Sequence, residues 1–590
     1  MSSNKKLNGF YECPDLDTIG NIKDLLKRAQ NKFPDSIAYK QYINRKEEES
    51  VTFGEFVRRV DAFGTGLLNI GLENSHVAII GETSVEWLVS YFAVLNGVGV
   101  SVPIDKELTP ESMTIQINKA DVDTVIVSAK SLSKVITALE DCHNVQNVIL
   151  IRDYMLKEPV NSDWYLFQKD IIEAGQKLID EGDRTYIDKP VDVKKLAAIV
   201  FTSGTTGANK GVMLSQENIW GCLKGARYLI KFDKMNFSVL PVNHTYELTC
   251  NIISALFEES TICINDELTH IAKNLKHFQP QMTCMVPEML EGVMRKVLAE
   301  ADKKGEKKKL VKAIGISNSL RKIGIDKREK MFAEVREAFG GYLDKVICGG
   351  AALSKEVEKF MDGIGVHILN GYGITECAPL VAVNGDRMTK PGSAGRILKD
   401  CNIRIWNPND DGNGEIQVKG PNVMMGYYKL ESDTKQVFTE DGWFRTGDIG
   451  HVDKDNFLYI TGRLKNIIIL PNGKNVYPED VEDHLKKAIP YLDDVVICAD
   501  SANVGICAIC HLDEDYCQIH NLNDWRVCYE HIMPDIQKFN KNVESYKRIT
   551  STFISMEEFE KTTTHKTKRY LIERTMRNVW QVARNNPNVR

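Results

Sequence analysis

From about residue 50 the chain alternates short, nearly continuous apolar runs with amphipathic stretches, and this rhythm restricts its architecture more than any other feature. HVAIIGET, GVSVPID, DTVIVSA and LAAIVFTS carry apolar residues at consecutive positions rather than only at alternate ones. Strands of that kind are buried on both faces, as inside a parallel sheet covered by helices. Between them, VTFGEFVRRVDAFGTGLLNIG spaces its apolar residues by three and four, which is the pattern of a helix with one buried face. SVEWLVSYFAVLNG reads as a helix ended by glycine, and the rhythm returns at FSVLPV, MTCMVP, KVICGG and VHILNGYG. A chain of 590 residues exceeds what one hydrophobic core usually holds, so two or more domains are expected.

Around residue 400 the texture changes. CNIRIWNPNDDGNGEIQVKG and WFRTGDIGHVDKDNFLYITGR are short alternating strands split by Asn, Asp and Gly turns, which is antiparallel logic. After Arg463 the pattern becomes a small α+β unit, with strands IIIL, DVVICA and GICAICHL and helices at PEDVEDHLKKAI and DIQKFNKNVE. The expected fold is α/β: a large N-terminal domain, 1–463, of mostly parallel sheets flanked by helices, with a small β-barrel-like subdomain at about 395–463. A small α+β C-terminal domain, 467–590, follows a hinge at 464–466.

Composition narrows the class. A formal net charge of -6 with 26% charged residues argues against bulk nucleic-acid binding. MSSNKKLNGFYECPD lacks the apolar core of a secretion signal. The longest apolar stretch, 87–103, is interrupted by Ser90, Asn96, Gly97 and Gly99, so it reads as helix, turn and strand rather than a membrane span. The 14 cysteines lie mostly inside apolar segments, which suits reduced, buried thiols and a cytoplasmic setting. Cys507 and Cys510 form a CxxC, but one within an alternating strand pattern and without a partner pair, so they read as core. The basic run ADKKGEKKKLVKA, 301–313, reads first as a solvated helix face or loop; contact with a membrane surface or an acidic partner is the sharper alternative. Oligomeric state is left open by the sequence.

The strongest chemical signal is FTSGTTGANKG, 201–211, directly after the strand LAAIV. Glycines let the backbone approach a polyanion, consecutive N–H groups and hydroxyls can surround phosphate oxygens, and Lys210 adds a compact positive charge. It is not a Walker A loop, because Lys210 is followed by Gly211 instead of Ser or Thr.

This segment resembles the phosphate-binding signature of the acyl-adenylate-forming superfamily, which includes acyl-CoA synthetases, luciferases and peptide-synthetase adenylation domains. LPVNHTYE (240–247), NGYGITECAP (370–379), WFRTGDIG with FLYITGRLKN, and EKTTTHKTKR (560–569) resemble four further motifs of that family, in order. The segment 321–354, with GRLKNIIILPNGKNVYPEDVE, is most similar to the long-chain fatty acid–CoA ligase branch.

The resemblance implies an AMP-forming ligase that activates a fatty acid with ATP and Mg²⁺ and passes it to coenzyme A. Thr202, Ser203, Gly204, Thr205, Thr206, Gly207 and Lys210 would hold the β and γ phosphates, and Thr205 with Glu376 would bind Mg²⁺. Gly350, Ala351, Asn370, Gly371 and Tyr372 would line the adenine site, with Tyr372 stacking on the base; Gly373 and Thr375 lie in the same segment. Asp448 would accept from the ribose hydroxyls, with Tyr459 and Arg463 in the neighbouring motif. Lys566 would stabilise charge on the α-phosphate during adenylation, Lys561 and Lys568 being the nearby alternatives. His244 would stand beside the acyl pocket, as a hydrogen-bonded structural group or a proton-transfer group. Lys465 would mark the hinge, and Gly473 and Lys474, in the loop 471–478, would face the acyl-AMP when the thiol enters.

The sequence departs from the family pattern at Asn209 (usually Pro), Asn466 (often Asp), Ile469 (Lys in some members) and His565 (usually Gly). Two other readings stay open: an adenylating enzyme that loads an acyl carrier protein, and an inactive nucleotide-binding regulator. For an amino-acid adenylation domain, Glu247 is the only candidate in LPVNHTYE for meeting a substrate ammonium.

Overall fold

A computed structural model describes residues 10–43, 47–156, 164–202, 209–321, 323–471, 475–500, 505–561 and 567–576. The chain forms two compact units. The first comprises the described residues up to 403 together with 418–444, and the second comprises 404–417 and the described residues from 445 on.

The apolar runs become parallel strands, as their patterning requires. In the first unit an eight-stranded sheet has Ser75–Ile80 and Gly99–Ile104 at its centre, paired in parallel and flanked in parallel by Thr124–Ser128 and Leu196–Thr202. Its interior positions are sealed: Val77, Ile79, Val102, Val125 and Ile199 have essentially no exposed surface. A nine-stranded sheet contains the parallel series Thr261–Ile264, Met235–Ser238, Met282–Met285, Lys345–Cys348 and His367–Gly373. Helices cover these sheets, and side chains at their starts satisfy free backbone donors. Thr52 accepts from Glu55 N ahead of helix Phe53–Asn69, and Ser84 accepts from Trp87 N ahead of Val85–Ala93.

The β-rich stretch at 395–463 divides its strands among three sheets. Asn402–Trp406, Gly414–Lys419, Phe444–Val452 and Leu458–Arg463 make a four-stranded sheet. Arg396–Ile397 instead extends the nine-stranded sheet, and Gly426–Tyr427 pairs antiparallel with Lys210–Ser215 at the edge of the eight-stranded one.

In the second unit Leu492–Ala499, Ile506–Leu512 and Ile549–Ile554 form a three-stranded sheet, antiparallel then parallel. Its helix at 535–544 is longer than the sequence pattern implied: it starts at Trp525, capped by Asp524, and runs through Pro534 to Lys541. Proline marks an expected break, but Cys528, Ile532, Ile536 and Phe539 give both halves one continuous buried face. The strand expected at IIIL shrinks to Ile468–Ile469, paired with Asn475–Val476. Cys507 and Cys510 are fully buried core residues, as their pattern implied. They sit in separate core clusters, with Cys507 Sγ 3.1 Å from Cys498 Sγ on the neighbouring strand. Among the described residues no helix is long and apolar enough to cross a membrane.

Candidate active site

In open α/β sheets, binding groups collect beyond the carboxyl ends of parallel strands. Here the segments leaving Met235–Ser238, Lys345–Cys348 and His367–Gly373 carry, respectively, His244–Glu247, Gly349–Ala351 and Ile374–Glu376. Gly350 takes a left-handed backbone, φ +92°, which glycine adopts without a Cβ penalty. At Gly373 a Cβ would stand 2.4 Å from Pro379 O, so only glycine permits that approach.

Thr202 and Lys210 are opposite each other at the end of an antiparallel ladder. Ser203, Gly204, Thr205, Thr206 and Gly207, which complete the expected phosphate cradle, lie outside the described residues. The Lys210 ammonium contacts the Asp433 carboxylate and stands 4.9 Å from the centre of the Tyr427 ring. Lys210 thereby holds the Asp433 carboxyl below its usual range. The Tyr427 hydroxyl donates to Glu376 Oε1 at 2.9 Å. Burial, reinforced by the Glu376 charge, pushes the Tyr427 phenol well up, so it stays a donor at neutral pH. Backbone pairing fixes this cluster: Tyr427 faces Val212 across the ladder, and Met424 N donates to Glu376 O at 2.8 Å.

The expected adenine-site residues are close in the fold. Asn370 is the cross-strand partner of Cys348, one and two residues before Gly349 and Gly350. The Asn370 side chain, however, donates to Ser393 O at 2.9 Å, which commits it to holding a loop. Tyr372 and Thr375 are half-buried, and Ala351 is exposed.

His244 caps the short helix Thr245–Glu247. Two residues on, the Tyr246 hydroxyl donates to Ile347 O at 2.8 Å, with Met285 O at 3.2 Å, tying the helix to two strand ends. Glu247 is wholly buried and accepts from Asn251 Nδ2 at 2.8 Å. Burial raises its carboxyl to about 7. Glu247 thus bonds within the core, which leaves it poorly suited to meet a substrate ammonium.

The same unit holds an apolar cavity, lined by Trp220, Thr249, Cys250, Ile253, Phe257 and Ile347 among others. Its free space is about 30 Å³, room for one or two water-sized groups. Anything larger fits only if these side chains part.

In the second unit Asp448 and Arg463 are cross-strand partners, and Arg463 Nε donates to Asp448 Oδ1 at 2.9 Å. The Asp448 side chain is 3% exposed and that of Arg463 38%, so a deeply set carboxylate is covered by a more accessible guanidinium. Thr446 Oγ1 receives Asp448 N at 3.0 Å and donates to Ile416 O at 2.7 Å, which fixes the turn. Tyr459 sits further along the same ladder, stacked on His451 at 4.9 Å. The strand stops at Arg463, and one turn of 3-10 helix, Leu464–Asn466, follows. Desolvation at the Lys465 ammonium, and then the neighbouring Arg463, pull its pKa down to about 8, although the side chain as a whole is exposed.

Gly473, Lys474 and Lys566 lie outside the described residues. The flanks of the last are placed: Lys561 and Thr567 form an antiparallel bridge, and Thr567 Oγ1 donates to Asp494 Oδ2 at 2.8 Å. Lys561 and Lys568 pair with Glu558 at 3.0 Å and Glu560 at 3.2 Å.

Sequence reasoning missed Tyr246, Tyr427 and Asp433. The pair Gly426-Tyr427 in a turn-rich stretch was a signal of sorts, but its partners are set by strand pairing.

Comparison with known proteins agrees with this architecture. A family model described as AMP-binding enzyme matches residues 26–428, and one described as AMP-binding enzyme C-terminal domain matches 465–579. The chain belongs to the AMP-binding enzyme family. It is 28% identical, over 517 residues, to the long-chain-fatty-acid–CoA ligase ACSBG1 of Rattus norvegicus, covering 83% of this chain and 68% of that protein. Its fold is similar to the anthranilate CoA ligase AuaEII in complex with anthranoyl-AMP (TM-score 0.74, 17% identity, 95% and 98% of the two chains). It is also similar to the o-succinylbenzoate coenzyme A synthetase MenE of Bacillus subtilis in complex with ATP and magnesium ion (TM-score 0.68, 19% identity, 93% and 99%).

Proposed function

We propose that this protein is an AMP-forming fatty acid–CoA ligase. The observation that carries the reading is a polar cluster, Lys210, Tyr427 and Glu376, in the same compact unit as an apolar cavity lined in part by Ile347, a residue near the end of a parallel strand. A charged head with an apolar tail fits such a pairing, and the curated relative named above is a long-chain ligase.

In the first half-reaction the fatty carboxylate attacks the α-phosphorus of ATP, forming acyl-AMP and releasing pyrophosphate. Lys210 leaves Asp433 for the phosphates, and Tyr427 keeps the Glu376 carboxylate oriented. The oxygen donor of Glu376 fits a hard cation; Glu376 and Thr205 would hold Mg²⁺, which would supply neutralising charge to the phosphates. Asp448 accepts from the ribose hydroxyls, and Arg463 covers that edge. Lys566 stabilises the charge that builds on the α-phosphate; the acidic partners of Lys561 and Lys568 favour it over those two. In the second half-reaction the thiol of coenzyme A attacks the acyl carbonyl and AMP leaves. The small domain turns about 464–466 between the two, which agrees with the C-terminal family match beginning at residue 465. Gly473 and Lys474 then face the acyl-AMP. Peripheral contact with a membrane is part of this reading.

The test is pyrophosphate release across carboxylic acids from acetate to oleate, with coenzyme A present. Release with medium or long acids, together with acyl-CoA formation, is expected. Turnover only when a holo-carrier protein replaces coenzyme A would overturn the acceptor. A failure of every carboxylate to support acid-dependent pyrophosphate exchange would overturn the reaction.

A further inference from the structure

The basic run at 301–313 has no part in the reaction above. It ends helix Pro287–Lys303 and opens helix Lys307–Arg321. The second helix is pinned on one side only. Leu310, Ala313 and Ile314 pack onto the core beneath, and Ser317 is buried in the same stripe. The packing is close: Gly363, on the helix below, has room for no Cβ because Ile314 Cγ2 would lie 2.6 Å away.

The opposite stripe faces solvent, at positions 308, 311, 312, 315, 316 and 319. It mixes charge with apolar bulk. Val311 is 57% exposed and Ile316 48%, and just past the helix Ile323 is 71% and Ile325 41% exposed. Six lysines fall between 301 and 313 against Asp302 and Glu306, a local excess of positive charge on a chain of net charge -6. Lys304 is paired with Glu334 and Lys309 with Glu306. Lys307, Lys308 and Lys312 make no ion pair among the described residues.

We infer that this face docks on an anionic lipid surface, with the helix lying along the membrane, Val311, Ile316, Ile323 and Ile325 dipping into the headgroup boundary, and the lysines meeting lipid phosphates. The choice of partner follows from the shape of the patch. Its apolar side chains stand singly: Val311 and Ile316 flank the exposed lysine-bearing stripe of the helix, and Ile323 and Ile325 follow just past its end. A protein partner needs a matching concave surface, whereas a fluid bilayer conforms to isolated anchors. Nucleic acid would use the lysines but gain nothing from four exposed aliphatic groups. Lysine stems also allow the charge to reach upward while the apolar groups sink. The proposed fatty substrate would give this contact its use, since such acids partition into membranes; the surface itself is read from exposure and charge alone.

The full-length protein would be sedimented with vesicles of phosphatidylcholine alone and of equal parts phosphatidylcholine and phosphatidylglycerol, at low and high salt. Binding to the anionic vesicles only, weakened by salt, is expected. V311D with I316D, and separately K307A with K308A and K312A, should each lower vesicle affinity by about tenfold or more. Melting temperature and pyrophosphate release from a soluble short acid should be unchanged, because every altered side chain is exposed. No binding to anionic vesicles at low salt, or variants that bind like the parent, overturns the inference. Retention on an acidic polypeptide without vesicle binding would assign the face to a protein partner and overturn it as well. Vesicle binding by a protein that activates no fatty acid would leave this surface standing and remove the functional reading instead.

Discussion

In the first compact unit the candidate groups come from far apart in the chain: Lys210 and Asp433 are separated by 223 residues, and Tyr427 and Glu376 by 51. In the second, Asp448 and Arg463 are cross-strand partners on one hairpin. The first arrangement exists only because strand Gly426–Tyr427 pairs with Lys210–Ser215. The second follows from local register, since a one-residue slip would put the two side chains on opposite faces. The distributed cluster is therefore the one a distant packing change can spoil, and the hairpin pair is the more self-contained.

Four changes break or sharpen this contrast, in decreasing order of expected effect. Lys566→Ala should slow acyl-AMP formation by about 10²–10³-fold, the loss seen when a transition-state charge partner is removed. Thioester synthesis from supplied acyl-AMP should persist; equal loss in both half-reactions would remove the role given to Lys566. Asp448→Ala should cost about 10²-fold in kcat/KM for ATP, because the buried acceptor proposed to serve both ribose hydroxyls is lost. Folding should survive, as the stranded Arg463 can turn to solvent; a collapse in melting temperature would show the pair to be structural.

Tyr427→Phe should reduce acid-dependent pyrophosphate release about tenfold, the value of one hydrogen bond to a carboxylate. An unchanged rate would mean that Glu376 needs no orienting partner, and that the distributed cluster is looser than its geometry implies. Glu247→Gln tests a core group instead of a reacting one. The folded Glu247 carboxyl is raised to about 7 from 4.5. Between those values the folded state binds the extra proton, so stability falls as pH rises through the window, and the full cost stands above pH 7. The Glu247→Gln variant should be no more stable than the parent near pH 4 and more stable at pH 8, by up to about 3 kcal/mol. Thermal melts at the two pH values check the sign; a constant difference would mean that Glu247 does not titrate there.

Much of the fold is legible in the sequence because the strand patterns are unambiguous. Runs such as DTVIVSA are buried on both faces in a parallel sheet, and the alternation of GICAICHL puts Cys507 and Cys510 into separate core clusters. The start of the helix at Trp525 is hidden because proline carries a strong local signal, while the burial that overrides it is tertiary. The 395–463 segment reads as one β-rich body because its strands share turn chemistry. Which sheet each strand joins depends on edges supplied elsewhere, so Gly426–Tyr427 belongs to the eight-stranded sheet.

The same division runs through the candidate site. The residue types that can meet phosphates, a cation and a ribose were determined by sequence, because Gly, Thr, Lys and carboxylates carry that chemistry wherever they stand. The Asp448–Arg463 pairing was nearly so, since hairpin register is a short-range property. Only the tertiary structure decided that Tyr427 holds Glu376, that Asp433 holds Lys210, and that Tyr246 binds the ends of two strands beside an apolar cavity. Each of those contacts joins segments that have no local reason to meet. They come together because buried parallel strands bring their carboxyl ends to one edge, and a sequence does not state which edges will be neighbours.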